Sequence, residues 1–179
     1  MLSALQGFLE DRRAGTCQSC RRFRRLPVAG CEGWSYHDTS PDSIEFWVDK
    51  DEALHRIRFF GRKDKYYSVS VKIQDSQSME TLLFVEDGVS SVPLPYKDRK
   101  IDVFDVMFPP YALRNNNHYV VEAFIDGPRS CFGLGGVHSV KCHDVTFNFK
   151  NYFTSKKAFD FTNVKKGQFA EFFFRPVCK

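Results

Sequence analysis

The sequence predicts an all-β fold, an antiparallel β-sandwich of jelly-roll type. Two patterns carry that expectation. Apolar and polar residues alternate with period two through much of the chain, and the alternating runs are cut by short clusters of turn-forming residues. Composition agrees: among 179 residues there are 19 Phe, which help bring the aromatic share to 16%, and Phe favours a pleated, half-buried surface. With 42% hydrophobic and 27% charged residues the chain is not of the disordered class. No apolar run approaches the roughly 18 residues that a membrane span needs.

At the N-terminus Leu2, Leu5, Phe8 and Leu9 follow the spacing of one helix face, with Ser3 as a cap and Gly15 as a stop. A helix of about ten residues is marginal alone, so it is expected to dock or to be the remnant of a longer chain. Gln6 and Gly7 break its apolar run and Glu10, Asp11 and Arg12 follow, which leaves no secretory h-region. An arginine-rich arm comes next: Arg12, Arg13, Arg21, Arg22, Arg24 and Arg25, with no acid between them. It accounts for more than the whole formal charge of +4. Such a run could neutralise phosphates, but a solvated segment whose arginines find carboxylates on the body is the simpler reading. No specific nucleic-acid binding is expected. The organisation is thus an arm over residues 1–21 and a sandwich domain over 22–176.

From Trp34 onward the period is two. Ile44, Phe46 and Val48 alternate with Glu45 and Trp47; Tyr67, Val69, Val71 and Ile73 alternate with Ser68, Ser70 and Lys72. Further strands are expected at Leu54–Phe60, Thr81–Glu86, Ile101–Phe108, Tyr119–Ile125, Val137–Cys142, Val145–Phe149 and Phe169–Phe174. Turn chemistry separates them at Gly61-Arg62-Lys63-Asp64, Asp87-Gly88, Pro109-Pro110, Asn115-Asn116-Asn117, Asp126-Gly127-Pro128 and Lys166-Gly167. Without helical crossovers a parallel sheet is excluded. The expected core contains Ile44, Phe46, Val48, Val69, Val71, Val106, Phe108, Ile125, Val145, Phe147, Phe149 and Phe172.

Six cysteines do not force a disulfide framework, no Asn-x-Ser/Thr acceptor occurs, and a reducing, cytoplasmic setting is expected. Cys17-x-x-Cys20 followed by Cys31 and His37 has a spacing that could supply four zinc ligands. A redox pair is the alternative, and incidental thiols are simpler than either. Adjacent Cys142 and His143 are expected on opposite faces of a strand and so not to act as a dyad. No Gly-x-Ser-x-Gly elbow, His-Glu-x-x-His helix or Walker loop is present, so neither catalysis nor a cofactor is expected.

The distinctive segment is Asp126-Gly127-Pro128-Arg129-Ser130-Cys131-Phe132-Gly133-Leu134-Gly135-Gly136, a Gly- and Pro-fixed loop carrying an aromatic. It is either a compact structural loop or a rigid binding loop.

Several motifs then form a colinear series. Trp34-x-Tyr36 is followed by Asp42-Ser43-Ile44-x-Phe46-x-Val48-Asp49, Phe60-Gly61, Tyr67-x-Val69-x-Val71 and Val106-Met107-Phe108. Tyr119-x-x-x-Ala123-x-Ile125-x-Gly127-Pro128, Phe132-Gly133-x-x-Gly136, Val140-x-Cys142-x-x-Val145-x-Phe147-x-Phe149 and Gly167-Gln168-x-x-Glu171 complete it. The series resembles the PHR domain of Highwire-type ubiquitin ligases and of BTB/POZ proteins, over roughly residues 22 to 175. The lead-in Cys20-Arg21-Arg22-Phe23 looks like the BTB-protein branch. The family's Asn-Gly-Thr before the last strand is replaced by Phe159-Asp160-Phe161-Thr162, so that loop is expected to take another path.

The resemblance implies a sandwich of about eleven strands, no catalytic activity, and loops at one end that bind a protein partner or ubiquitination substrate. That end would gather the Gly127–Gly136 loop, the Gly33–His37 segment and the turn leading to Gly167-Gln168. Trp34 and Tyr36 are the expected aromatic contacts, Phe132 the apolar anchor, and Asp126, Arg129 and Gln168 the polar contacts. Gly127 and Pro128 shape the loop, and Gly133 and Gly136 are positions where a partner backbone could approach. The alternative is a jelly-roll carbohydrate or small-ligand binder using Trp34, Tyr36 and Asp126.

Overall fold

A computed structural model describes residues 17–27, 33–36, 40–96, 99–152 and 162–177. The helix expected near the N-terminus, Cys31, His37 and the Phe159–Phe161 substitution lie outside the described residues.

The strands are β1 (Gln18–Arg21), β2 (Phe23–Arg25), β3 (Asp42–Val48), β4 (Glu52–Phe60), β5 (Tyr66–Asp75), β6 (Thr81–Ser90) and β7 (Val92–Tyr96). They continue with β8 (Arg99–Leu113), β9 (Tyr119–Asp126), β10 (Gly133–Gly136), β11 (Ser139–Cys142), β12 (Val145–Lys150), β13 (Lys166–Gly167) and β14 (Phe169–Pro176). Every pairing is antiparallel, and there is no helix among the described residues. A six-stranded sheet in the order β11-β12-β3-β9-β5-β6 faces a five-stranded sheet in the order β1-β14-β4-β8-β7. A small third sheet, β13-β10-β2, lies at one end.

Alternation explains how the two large sheets close on each other. All of the expected core residues are buried in one cluster between them, joined by Leu54, Ile57, Phe59, Phe104, Phe169 and Phe174. A bulge at Ala170 lets Phe169 and Phe172 both point inward, although strict alternation would separate them. A second cluster, Phe23, Phe60, Ile101, Val103, Cys131 and Ala170, seals the small sheet to the five-stranded one.

Among the described residues the count of fourteen strands exceeds the expected number because of short or proline-bearing pieces. β7 is a sheet edge where Pro93 and Pro95 tolerate the missing N–H. Pro109-Pro110 does not end β8. The register passes from Arg56↔Met107 to Leu54↔Tyr111, so both prolines sit in a bulge opposite His55 where ladder bonds are already interrupted. Asp87-Gly88 is likewise inside β6, paired with Val69 and Ser68. His143 is in the turn between β11 and β12 at φ 59°, not on a strand beside Cys142.

The expected boundary at residue 21 falls within paired structure, since β1 pairs with β14 from Gln18. Arg21 joins a ladder on the outer face of the five-stranded sheet: its Nε lies 2.9 Å from Glu171 Oε1, and Arg58 Nη1 lies 3.0 Å from Glu171 Oε2. Arg58 is bidentate to Asp105 at 2.6 and 2.8 Å, and Arg56 Nη1 reaches Asp105 at 3.1 Å. The Arg56 and Arg58 guanidiniums cover the Phe173 ring at 3.6 and 4.7 Å.

Candidate partner-binding site

Three segments distant in sequence are stitched together at the sandwich end. Trp34 and Ser130 exchange backbone N–H···O bonds of 3.1 Å each way, which ties the 33–36 segment to the loop after β9. The Tyr36 hydroxyl lies 2.6 Å from Ser130 Oγ and donates to Gln168 Oε1 at 3.2 Å. Gln168 Nε2 donates to Ser130 Oγ at 3.1 Å and to the Cys131 carbonyl at 2.7 Å. The third segment is anchored by Thr162, whose Oγ1 accepts the Gln168 N–H at 3.0 Å and donates to Asp42 Oδ1 at 2.6 Å. Trp34 Nε1 donates to the other Asp42 oxygen at 3.2 Å. Burial pushes the Tyr36 hydroxyl well above the usual tyrosine range, so it stays a neutral donor.

Arg22 fixes the same region from below. Its guanidinium is fully buried; Nε donates to the Phe169 carbonyl at 3.1 Å, and Nη1 donates to those of Asn163 and Val164 at 3.0 and 3.1 Å. The group stacks on Phe23 at 4.0 Å. Burial lowers its pKa to about 9, which leaves it protonated at neutral pH.

This network revises the expected roles. Trp34 is 4% exposed and Gln168 0%, so both support the loops from the interior instead of presenting side chains to a partner. Tyr36 is half-buried with its hydroxyl engaged. Gly133 and Gly136 are buried as well, and the space beside them is taken by the chain itself: a methyl would strike the Phe23 ring at Gly133 and the Val164 carbonyl at Gly136. What the end does present is Asp126, Gly127 and Arg129, exposed, beside half-buried Pro128 and Phe132. The Phe132 ring rests on Trp34 with centroids 5.2 Å apart.

The cysteine motif does not converge. Cys17 Sγ is exposed and 3.4 Å from His55 Nε2, whereas Cys20 is in the core and hydrogen-bonds Cys142. Burial raises the Cys20 thiol, and the bond it donates lowers Cys142. Among the described residues no group of three or more His, Cys, Asp or Glu is placed to hold a metal ion.

Sequence reasoning missed Asp42, Ser130, Thr162 and Arg22. Arg22 read as one more solvated arginine; the only signal for it and for Asp42 was membership of the colinear motif series.

That series is matched by a family model: the PHR domain model covers residues 21–175. The chain belongs to the PHR domain family. It is 31% identical over 173 residues to BTB/POZ domain-containing protein 6-B of Danio rerio, covering 93% of this chain and 33% of that protein. It is 30% identical over 175 residues to the E3 ubiquitin-protein ligase highwire of Drosophila melanogaster, covering 93% of this chain and 3% of the ligase. The chain therefore spans about a third of the BTB/POZ relative and a small part of the ligase. This PHR domain is of a kind carried by BTB/POZ proteins and ubiquitin ligases. Among the described residues no helix is long and apolar enough to cross a membrane.

Proposed function

We propose that this PHR domain is a non-catalytic, cytoplasmic protein-recognition module that takes a partner or ubiquitination substrate on the Asp126–Phe132 loop. The observation that supports the reading is the buried network of Tyr36, Asp42, Ser130, Thr162 and Gln168. It holds three segments in one arrangement, so the loop is ordered before a partner arrives and little conformational entropy is lost on binding. Among the described residues the chemistry presented on the loop is an exposed acid, an exposed guanidinium and a half-buried aromatic.

The test is quantitative capture from a cell lysate on immobilised domain, comparing wild type with Arg129→Glu and Phe132→Ala. Arg129→Glu is expected to lower retention of the specific partner by tenfold or more, because reversing a charge at an interface costs several times the change it makes to a free surface. Its melting temperature should stay within about 2 °C of wild type. If both variants retain the partner fully, the loop is not the site. Binding on a glycan array with no protein retained would favour the carbohydrate reading.

A further inference from the structure

The outer face of the six-stranded sheet carries a trough that the loop network does not use. On β5, Tyr66, Ser68 and Ser70 point outward while Tyr67, Val69 and Val71 enter the core. Register places Gly88, Ser68 and Asp126 in one row across β6, β5 and β9, and Glu86, Ser70 and Phe124 in the next. Small hydroxyl residues thus run down the middle strand, flanked by Glu86, Phe124 and Asp126, with Gly88 beneath the Tyr66 hydroxyl. The hollow is open to solvent and has a volume of about 740 Å³.

Its chemistry is one-sided. Tyr66 is 61% exposed and Phe124 39%, and the Tyr66 hydroxyl occupies the space over Gly88 that any larger residue would need. The ring therefore lies along the sheet as a platform. Glu86 and Asp126 both line the hollow, and among the described residues no Lys or Arg pairs with either of them. The adjoining lysine, Lys72, is committed to Glu122 at 2.8 Å. Two uncompensated carboxylates beside two exposed rings suit a ligand that brings both cations and apolar groups. From Tyr66 to Ser70 the trough runs about 13 Å at ~3.3 Å per residue, the length of roughly four residues of extended chain.

We infer that this trough binds an extended peptide segment bearing arginine or lysine next to apolar side chains, with the cations at Glu86 and Asp126 and the apolar groups on Tyr66 and Phe124. The inference rests on the reading of the domain as a protein-recognition module, and it names a surface and a partner chemistry that the loop alone does not supply.

The experiment is a titration of the isotope-labelled chain, followed by amide NMR shifts. The probes are the capped peptide Gly-Arg-Leu-Arg-Leu-Arg-Gly, its glutamate-for-arginine counterpart and its glycine-for-leucine counterpart. The basic apolar peptide is expected to give saturable shifts at Ser68, Ser70, Glu86, Phe124 and Asp126. The glycine version should bind at least fivefold more weakly and the glutamate version not at all. Glu86→Lys should weaken binding tenfold or more, and Ser70→Tyr, which fills the floor, should do so without altering charge. Shifts scattered over the surface, equal binding by the glycine peptide, or unchanged binding by both variants would overturn the proposal. So would saturable shifts at the same amides from a neutral oligosaccharide with none from the peptide. Lysate capture that is lost with Arg129→Glu but kept with Glu86→Lys and Ser70→Tyr would refute the trough and leave the recognition reading intact. Loss of capture in no variant would count against that reading itself.

Discussion

The two outer faces of the sandwich are built from similar residue types and differ in whether their charges are satisfied. On the five-stranded sheet, Arg21, Glu171, Arg58, Asp105 and Arg56 form one continuous ladder, and the apolar Phe173 lies beneath two guanidiniums. On the six-stranded sheet, Glu86 and Asp126 have no cation among the described residues, and Tyr66 and Phe124 stand uncovered. A surface whose charges cancel internally offers little to a partner, because binding would have to break pairs before making new ones. A surface with one uncompensated sign and exposed rings has no internal pairs to break, so complementary charge and apolar groups gain on arrival.

That contrast predicts unequal sensitivity to substitution. The largest effect should come from Arg58→Met, which leaves the Glu171 carboxylate, only 4% exposed, with a partner removed. A loss of about 2–4 kcal/mol is expected in urea melts, and Arg58→Met combined with Glu171→Gln should recover part of it. Gln168→Leu should follow at about 1–3 kcal/mol, since it strips the donor from the Ser130 hydroxyl and the Cys131 carbonyl inside the loop network.

Glu52, at the start of β4, should give a pH-dependent effect. Burial, helped by the nearby Asp144 and Asp49 charges, raises its pKa from 4.5 to about 7. The fold therefore favours the protonated form. That contribution is complete below pH 4.5 and is lost as pH rises through about 7. Glu52→Gln should be neutral at pH 4 and stabilising by about 1–2 kcal/mol at pH 8, measured by thermal melts across that window. The smallest effect belongs to the trough: Glu86→Gln and Asp126→Asn should each change stability by less than about 0.5 kcal/mol. A larger loss from either would mean that these carboxylates are structural, and the contrast between the faces would fail.

Strict alternation made the core readable in advance: Ile44, Phe46 and Val48, or Phe147 and Phe149, can point inward in only one register. Composition could not reveal where a turn signal would be overridden. Asp87-Gly88 is absorbed into β6 because Tyr66 covers the glycine, and Pro109-Pro110 into β8 because a bulge had already broken the ladder at His55. Both depend on the neighbouring strand. The candidate end was located by its glycines and aromatics, yet the division between interior and surface was not. Trp34 and Gln168 became interior because Asp42 and Ser130, unremarkable in the sequence, accept hydrogen bonds from them in the fold. Arg22 is the same lesson in charge: among neighbouring arginines its fate is set by the carbonyls of Asn163, Val164 and Phe169, far along the chain.

The most direct test of the recognition reading is backbone hydrogen exchange on the domain alone and with its captured partner bound. Added protection should appear across residues 126–132, and within 66–70 and 86–88 if the trough is engaged, while β1, β4, β8 and β14 keep their free-state rates. Protection centred on the Arg21–Glu171–Arg58–Asp105 ladder, with the 126–132 loop unchanged, would contradict it.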